Sequence, residues 1–323
     1  MTSKVIPWDE IQIPEAEYNV RLIATNSSIP LYWGKDTAGH CLFIIELEGD
    51  HIDQFRKDST SVQGISLDLR GFGAATKQGI VLTLEKHIDK DLFLSLCETL
   101  VTSLQPVTDS GTALAVTLTH INRWKLFMSG RKSRVLSTEE IRGLFAELQF
   151  LRFLYKNRLS EVAAVESWVG PGGSHQDFIF GNTAAEIKSV SGRERSTVRI
   201  SSEEQLETLC DNLFLIIYRL NAVPESGQSV SLNELVRLVE QELNDASAVE
   251  ELLRRLAAYG YVDIAEYDTP KFVVASRDAY FVEKDFPRLV RSRIPDGIVR
   301  TTYEIELEKI AVFKCDITRA VEN

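Results

Sequence analysis

Short apolar or alternating runs separated by turn residues dominate the first part of the chain, a pattern typical of strands. These runs are HCLFIIEL (40–47), GISLDLR (64–70), GIVLTLE (79–85) and INRWKLFM (121–128). In KDLFLSLCETLVTSL (90–104), by contrast, the apolar residues recur at helical spacing. The pattern predicts a separate, mostly β N-terminal domain over residues 1–130.

The segment 137–157 has the pattern of a long amphipathic helix. Ser137 or Thr138 is suited to the N-cap, and Glu140 is placed to complete a capping box. The predicted buried stripe of this helix consists of Leu144, Leu148, Leu151 and Tyr155.

Glu147 lies on the shoulder of that stripe, roughly 60° from its middle on a helical wheel. Gly143, one turn earlier on the same side, would let another backbone or a ligand come close. Two interpretations of Glu147 stay open, a partly exposed helix glutamate and a carboxylate that faces a functional site.

The stretch SHQDFIFGNTAAEIKSV (174–190) has the pattern of two short buried strands joined by a Gly-Asn turn. Three charged residues interrupt it. Glu186 and Lys188 are two apart and so point to one face of a strand, and Asp177 opens the preceding strand within reach of them. Because a charge on a half-buried sheet costs free energy unless it is paired or holds a metal, these residues indicate a catalytic site or a cross-strand ion-pair network.

The next segments complete a mixed α/β core. The sequence STVRISSEEQLETLC (196–210) predicts a strand at 198–200 and then a helix, capped by Ser201 or Ser202, with Gln205 in its first turn. The run NLFLIIYRLNAV (212–223) predicts a strongly apolar strand. We expect this core to span residues 131–223.

The C-terminal part, residues 224–323, begins with a linker turn and continues with two amphipathic helices, SLNELVRLVEQELN and SAVEELLRRLAAYGYVD. The second helix is predicted to end at Gly260. Strands are predicted at 271–282 and 301–313, where they complete or pack on the core. The predicted fold class is α/β (α+β), with a mixed sheet core, a β-rich N-terminal domain and a helical C-terminal insertion.

Composition narrows the class of protein. The 323 residues are 44% hydrophobic and 26% charged, which is ordinary for a globular chain. No apolar run has the length of a membrane span, and MTSKVIPWDE lacks the order of a secretory signal, so we expect a cytoplasmic protein without membrane contact. The four cysteines lie far apart and predict neither a zinc site nor a disulfide framework. The segment GFGAATKQG lacks the ending of a nucleotide-binding phosphate loop.

The net charge of −11 argues against unspecific coating of nucleic acid. Basic residues nevertheless cluster at 122–134, 188–199 and 288–300. Each cluster alone is compatible with a solvated face, but two of them flank the acidic residues described above. The predicted nucleic-acid contacts are Lys132, Arg134, Arg193, Arg195 and Arg199.

The residues around 177–188 suit hydrolysis of a phosphodiester. Mg²⁺ takes oxygen ligands and typically uses one or two carboxylates, with waters and substrate phosphate completing its shell. Asp177, Glu186 and the backbone carbonyl of Ile187 would supply oxygens, with Glu147 as a further ligand, direct or through water. Lys188 would orient or deprotonate the attacking water and stabilise negative charge, and Gln205 would hold that water or the phosphate. The candidate catalytic set is Glu147, Asp177, Glu186, Lys188 and Gln205.

Asp177 followed by Glu186-Ile187-Lys188 resembles the D…E-x-K signature of PD-(D/E)XK nucleases, although Gln176 stands where the superfamily name places proline. More narrowly, GLFAELQFL, DFIF, AEIKS and VRISSEEQL, in this order, resemble the DUF4420 group of PD-(D/E)XK proteins. The resemblance implies an endonuclease that uses Mg²⁺, with Mn²⁺ as a substitute, and that acts on DNA in restriction or phage defence. It also implies a Z1-type ATPase and a DNA methyltransferase as partners from the same locus.

Two further interpretations stay open beside an endonuclease. One is a non-catalytic DNA-binding or assembly subunit that uses the nuclease fold as a scaffold, and the other is a structural ion-pair network. For an endonuclease that breaks both strands of a duplex, two active sites are needed, so we expect a homodimer. His175 is expected to be a loop histidine.

Overall fold

A computed structural model describes most of the chain, namely residues 6–58, 64–73, 76–85, 90–129, 135–192, 196–222 and 229–320. The chain divides into two compact units. The first unit comprises Met1–Ser133 with Val262–Ala265, and the second comprises Arg134–Tyr261 with Glu266–Asn323. The three-part division at residues 130 and 223 stays a prediction.

The first unit is built on an antiparallel sheet. Its strands are β1 Tyr18–Leu22, β2 Leu31–Asp36, β3 Cys41–Glu48, β4 Ile65–Gly71 and β5 Lys77–Leu84, and its helices are α1 Ile52–Asp58, α2 Lys90–Leu104 and α3 Ser110–Ser129. The strand order is β1-β2-β3-β5-β4. The central strand β3 is buried from Cys41 to Leu47, and the indole Nε1 of Trp8 donates to the carbonyl of Leu42 at 2.8 Å. An apolar strand buried on both faces explains the continuous run of the sequence there.

One predicted strand of this unit is wrong. Residues 121–128 belong to α3, whose buried residues Leu114, Leu118, Ile121 and Trp124 recur at helical spacing. Within the eight letters INRWKLFM that stripe is too short to be distinguished from strand alternation. The predicted helix over 90–104 is confirmed by α2.

The second unit contains a five-stranded mixed sheet and a separate two-stranded sheet. Its strands are β6 Phe178–Phe180, β7 Thr183–Ser191, β8 Thr197–Ile200, β9 Asn212–Ala222, β10 Phe272–Phe281, β11 Tyr303–Glu306 and β12 Lys314–Cys315. The larger sheet has the order β12-β10-β9-β7-β6, and β11 pairs with β8. Strands β7 and β9 are parallel, whereas the other pairs are antiparallel.

In the described part of this unit, four helices accompany the strands: α4 Thr138–Asn157, α5 Glu161–Ser167, α6 Leu232–Glu242 and α7 Ala246–Tyr259. The predicted capping box of α4 is present, since Ser137 and Glu140 bond reciprocally. Helix α7 ends at Gly260, which adopts a left-handed conformation as predicted. Helices α6 and α7 are inserted between β9 and β10. The predicted α+β class, with a mixed sheet core and a helical C-terminal insertion, is confirmed.

Two local predictions in this unit need correction. The helix expected after Ser201 or Ser202 is a single 3-10 turn, Glu203–Leu206. The side chain of Gln205 accepts from the amide of Ser201 at 2.8 Å, a local bond that competes with helix formation. The strand expected over 301–313 is confirmed only at β11.

Glu242 ties α6 to α4. Its carboxylate accepts from Arg152 Nε at 2.7 Å and Nη2 at 2.6 Å, from the Tyr155 hydroxyl at 2.7 Å and from Lys156 Nζ at 2.6 Å. The hydrogen bonds from Arg152, followed by those from Lys156 and Tyr155, lower the pKa of Glu242 to about 2. A carboxyl with a depressed pKa stabilises the fold above its unfolded pKa, and this contribution is lost as the pH falls towards the folded value.

We therefore expect Glu242→Gln to destabilise the second unit by about 1 to 2 kcal/mol near neutral pH, since these charge-assisted bonds are partly screened by solvent. The difference from the wild type should shrink as the pH falls below the ordinary glutamate pKa. Denaturant unfolding at neutral pH and at an acidic pH between about 4 and 2, where the contribution is lost, measures both effects. Glu250→Gln, on the exposed side of α7, is the matched control. An equal loss of stability in both variants would contradict this role of Glu242.

No helix within the described residues is long and apolar enough to cross a membrane.

Candidate active site

The predicted catalytic residues converge on one cavity of about 290 Å³ in the second unit. The cavity is lined by all five of the predicted catalytic set, Glu147, Asp177, Glu186, Lys188 and Gln205. Ile187 and Arg199 line it as well. Helix α4, the residue before β6, strands β7 and β8 and the turn after β8 thus contribute to a single site.

Strand β7 presents two of these side chains to the cavity. Glu186 and Lys188 point to the same face because they are two residues apart. Strand β6 pairs with β7 only as far as Phe178 opposite Ala185, and Asp177 lies just before that pair. The Oδ2 atom of Asp177 accepts from the amide of Ile187 at 2.7 Å. This carboxylate therefore binds the β7 backbone just beyond the last residue pair of β6 and β7.

The loop before β6 holds the backbone of Asp177. The amides of Val169 and Gly170 donate to the Asp177 carbonyl at 2.8 and 3.0 Å. A Cβ atom at Gly170 would lie 2.9 Å from Asp177 Oδ1 and 3.1 Å from its Cα. Asp177 therefore keeps its place only because residue 170 has no side chain.

We expect Gly170→Ala to displace Asp177 and to reduce any activity of the site by about 10- to 100-fold, in line with the cost of small misplacements at a reacting centre. Gly172→Ala is the matched control, because a Cβ there would meet nothing within 4 Å. Cleavage rates of the two folded variants test this expectation. Equal rates would show that the position of Asp177 does not limit the reaction.

Glu186 is buried, with 1% of its surface exposed. Lys188 Nζ lies 2.7 Å from Glu186 Oε1 in an ion pair, whereas Glu186 Oε2 has no hydrogen-bond partner among the described residues. Burial first, and the nearby charge of Asp177 second, raise the pKa of Glu186 to about 8. A buried carboxylate with an unsatisfied oxygen costs free energy of folding unless a ligand binds that oxygen.

Glu147 is also buried, which excludes the partly exposed interpretation. Its Oε2 atom accepts from the indole Nε1 of Trp168 at 2.7 Å. Burial, with the charge of Asp177 as the second cause, raises the pKa of Glu147 well above its ordinary value. The same two causes therefore act on Glu147 and Glu186, which share the cavity with Asp177.

Lys188 is held by Gln205. Its Nζ atom donates to Gln205 Oε1 at 3.0 Å, and the same oxygen accepts from the amide of Ser201. Burial lowers the pKa of Lys188, but the charges of Glu186 and Asp177 outweigh this effect, and the net pKa is raised. The ammonium form therefore prevails at neutral pH.

Several residues at the site were not predicted. Tyr259, at the end of α7, lines the cavity, and Arg142 of α4 reaches Ser189 of β7 at 3.3 Å. Trp168, which holds Glu147, packs near the Tyr259 ring at a centroid distance of 6.5 Å. The one signal in the sequence was Gly143, where a Cβ would lie 3.3 Å from the Tyr259 hydroxyl. A side chain, and not a backbone or ligand, makes the predicted close approach.

Gln176 and His175 have structural contacts. Gln176 Nε2 donates to the carbonyls of Glu204 and Glu207 at 2.7 and 2.8 Å, which ties the start of β6 to the turn that carries Gln205. His175 Nδ1 lies 3.1 Å from Glu204 Oε2 on the surface. Its exposed position agrees with a loop histidine.

Of the predicted nucleic-acid contacts, Arg199 is exposed on β8 and lines the cavity. The other four, Lys132, Arg134, Arg193 and Arg195, lie outside the described residues. Their role stays a prediction.

The oxygen donors of the cavity suit a hard cation. Among the described residues, no cluster of three or more His, Cys, Asp or Glu side chains is arranged as a metal cage. Asp177 and Glu186 instead provide two carboxylates, and Glu186 Oε2 lacks a hydrogen-bond partner among the described residues. Because Mg²⁺ often uses only one or two carboxylates and keeps several waters, this donor set fits it.

Asp177 lies directly before β6, and the Glu186-Ile187-Lys188 triplet lies on the adjacent strand β7, which is the arrangement that the D…E-x-K pattern of the sequence predicts. The chain belongs to the DUF4420 family, whose description is "Putative PD-(D/E)XK family member" and whose family model matches residues 6–308. The predicted resemblance is thereby confirmed, and a nuclease-like fold implies DNA as a substrate. No curated protein and no solved structure matches the chain.

Proposed function

We propose that the protein is a metal-dependent endonuclease that hydrolyses phosphodiester bonds of DNA. The observation that carries this proposal is the buried Glu186 carboxylate in a polar cavity: its Oε1 atom is ion-paired with Lys188, whereas its Oε2 atom has no partner in the described part of the chain. A purely structural ion-pair network would be expected to satisfy both oxygens. A site that is completed by a cation explains why the Oε2 atom is left without a protein donor.

Asp177 and Glu186 would hold Mg²⁺ or Mn²⁺, together with the carbonyl of Ile187. The Ile187 amide faces Asp177, and in a strand the N–H and C=O of one residue point to the same edge. When bound, the cation supplies Lewis-acid polarisation of the phosphate and lowers the pKa of a nearby water. The donation from Ile187 to Asp177 Oδ2 orients this carboxylate and leaves its Oδ1 atom to act as a ligand.

Lys188 acts as the catalytic lysine in this proposal. Its raised pKa keeps it protonated, so it offers N–H donors to the negative charge that develops on the phosphate, and it is not the base that deprotonates water. Gln205 fixes the ammonium through its Oε1 atom at 3.0 Å. We therefore assign Gln205 to the positioning of Lys188, in place of the predicted hold on water or phosphate.

Glu147 acts as the accessory carboxylate. Trp168 donates to one of its oxygens, and the carboxyl lines the cavity beside Tyr259. The raised pKa of Glu147, caused first by burial, favours its protonated form in the absence of a cation. In that form it can donate a hydrogen bond to a water next to Asp177 and Glu186.

The proposal also includes a biological role, which follows from the family resemblance. A restriction or phage-defence role would bring a Z1-type ATPase and a DNA methyltransferase as partners. Breaking both strands of a duplex would need two copies of the site, hence a homodimer. Light scattering of the purified protein with and without duplex DNA tests the homodimer, and a monomer in both samples would exclude it.

The test of the function is a panel of labelled substrates: duplex DNA, single-stranded DNA and RNA, each with Mg²⁺, with Mn²⁺ and with a chelator. We expect the wild type to cleave DNA only when a divalent cation is present. Glu186→Gln should be inactive, whereas Glu250→Gln should cleave like the wild type.

Two results would overturn the proposal. Cleavage that persists in Glu186→Gln would place the activity elsewhere, for example in a contaminant. DNA binding without cleavage, insensitive to metal and to Glu186→Gln, would favour the non-catalytic scaffold. Repeating that experiment with a Z1-type ATPase then distinguishes a scaffold from a nuclease that needs its partner.

A further inference from the structure

The segment 288–302, here called the arginine loop, lies beside the cavity and takes no part in the site described above. It carries four arginines against one aspartate, in a chain whose net charge is −11. Most of the loop is exposed, including Arg291, Arg293 and Arg300. A local excess of positive charge on an acidic protein indicates an anionic ligand.

The arginine loop is fixed to residues 201–207, here called the Gln205 turn. The amide and hydroxyl of Thr301 both donate to Glu203 Oε2 at 3.0 Å. The amide of Arg291 donates to Glu207 Oε2 at 3.0 Å, and Arg288 donates to the carbonyl of Leu206. These bonds hold the loop in place without using the charges of all its arginines.

The Gln205 turn connects this loop to the catalytic residues. On one side its Gln205 side chain holds Lys188, and on the other side Glu203, which is 2% exposed, holds Thr301. Ser201 lines the cavity, and its carbonyl accepts from Arg300 Nε at 3.2 Å. The C-terminal end of the arginine loop therefore lies next to the lining of the cavity.

Three arginines on this surface have no carboxylate partner among the described residues: Arg199, Arg293 and Arg300. Arg199 lines the cavity, Arg300 contacts Ser201, and the Arg293 side chain forms no hydrogen bond or ion pair in the described part of the chain. The glutamates of the turn do not neutralise them, since Glu203 and Glu207 bond to the loop and Glu204 faces His175.

An apolar side chain accompanies these charges. Val299 is 88% exposed and stands directly before Arg300. An exposed apolar residue between arginines is unfavourable in water but suits the sugar and base edges that lie beside a phosphate backbone.

We propose that the arginine loop is a second nucleic-acid contact surface, in which Arg293 and Arg300 bind backbone phosphates next to those in the cavity and Val299 contacts the groove. This inference rests on the proposed function, since it takes nucleic acid as the ligand. Because the Gln205 turn joins the loop to Lys188, the loop would hold the bound nucleic-acid strand at a fixed distance from Lys188.

The test is the affinity of the protein for a labelled DNA duplex, measured in chelator so that no cleavage occurs, over about 50 to 200 mM salt. We expect the double variant Arg293→Ala/Arg300→Ala to bind about 10- to 100-fold more weakly. Its slope of log affinity against log salt should fall by about 0.9 for each phosphate that the variant no longer binds. Val299→Ser should weaken binding without changing the slope.

Two controls separate this effect from general charge and from misfolding. Arg254→Ala/Lys309→Ala removes the same charge from exposed positions outside the loop and should leave the slope close to that of the wild type. Arg293→Ala alone removes no hydrogen bond or ion pair within the described part of the protein, and an unchanged melting temperature of this variant would show that its weaker binding does not arise from unfolding.

The possible results distinguish this inference from the proposed function. Wild-type binding with unchanged slopes in the arginine variants, or no binding of DNA by the wild type, would overturn the role of the loop. A reduced slope together with a wild type that cleaves under no metal, even with the partner ATPase, would support the loop and contradict the nuclease.

Discussion

Replacement of Lys188 by methionine is expected to reduce the single-turnover rate of DNA cleavage on the order of 10²- to 10³-fold, the usual cost of removing one charge-stabilising donor. The substitution keeps the length and apolar stem of the side chain but removes the ammonium that lies 2.7 Å from Glu186 and 3.0 Å from Gln205. The affinity for DNA in chelator should change far less, because the missing donor acts on charge that develops during the reaction.

The Lys188→Met protein should fold. Breaking a buried ion pair normally leaves an unpaired charge at a cost of about 3 to 5 kcal/mol. Here the pKa of Glu186 is already raised to about 8, so this carboxyl can take up a proton when its partner is removed. Lys309→Met, at an exposed position, is the matched control. A folded Lys188→Met enzyme with the wild-type rate would exclude Lys188 from the chemistry.

Replacement of Glu186 by glutamine is expected to abolish the stabilisation of the protein by divalent cations. For the wild type, a cation at a hundred times its dissociation constant should add about 2.7 kcal/mol of stability, enough to raise the melting temperature by several degrees. Glutamine has nearly the same shape but lacks the negative charge that a hard cation needs.

The stabilisation by the cation should also depend on pH, in a direction set by the pKa of Glu186. Because burial raises the pKa of Glu186 to about 8, its carboxyl carries a proton near neutral pH, and a cation must displace that proton to bind. The thermal shift of the wild type should therefore grow as the pH rises from about 6.5 to 8.5. Glu250→Gln should behave like the wild type. A Glu186→Gln protein with an undiminished shift would place the cation elsewhere.

The sequence was most informative where residues close in the chain determine the geometry. The spacing of Glu186 and Lys188 requires that they share a face of one strand, and the short turn between the strands brings Asp177 opposite them. The capping box of Ser137 and Glu140 likewise depends on local spacing and is present. The convergence of the candidate set on one cavity could be predicted for the same reason.

The neighbours of the site could not be predicted, because distant segments supply them. Tyr259 reaches the cavity only through the insertion of α7 between β9 and β10. The Trp168 bond to Glu147 depends on the loop after α5, which Arg255 of α7 contacts through the Trp168 carbonyl. No pattern within either segment indicates such a contact.

The errors in secondary structure have local causes. At 121–128 the window was shorter than the helical stripe to which Ile121 and Trp124 belong. After Ser201 a capping pattern was present without an apolar stripe to follow it, and Leu206 is the one buried apolar residue of the turn. A capping residue that is not followed by an apolar helix face starts only a turn, because most of the stability of a helix in a protein comes from packing.

The most direct test of the central claim is the conversion of supercoiled plasmid by the wild type, Glu186→Gln and Glu250→Gln proteins, in parallel with Mg²⁺ and with chelator. We expect nicked and linear products from the wild type and from Glu250→Gln, only with the cation, and none from Glu186→Gln. Equal conversion by all three proteins, or conversion in chelator, would contradict a metal-dependent site at Asp177, Glu186 and Lys188.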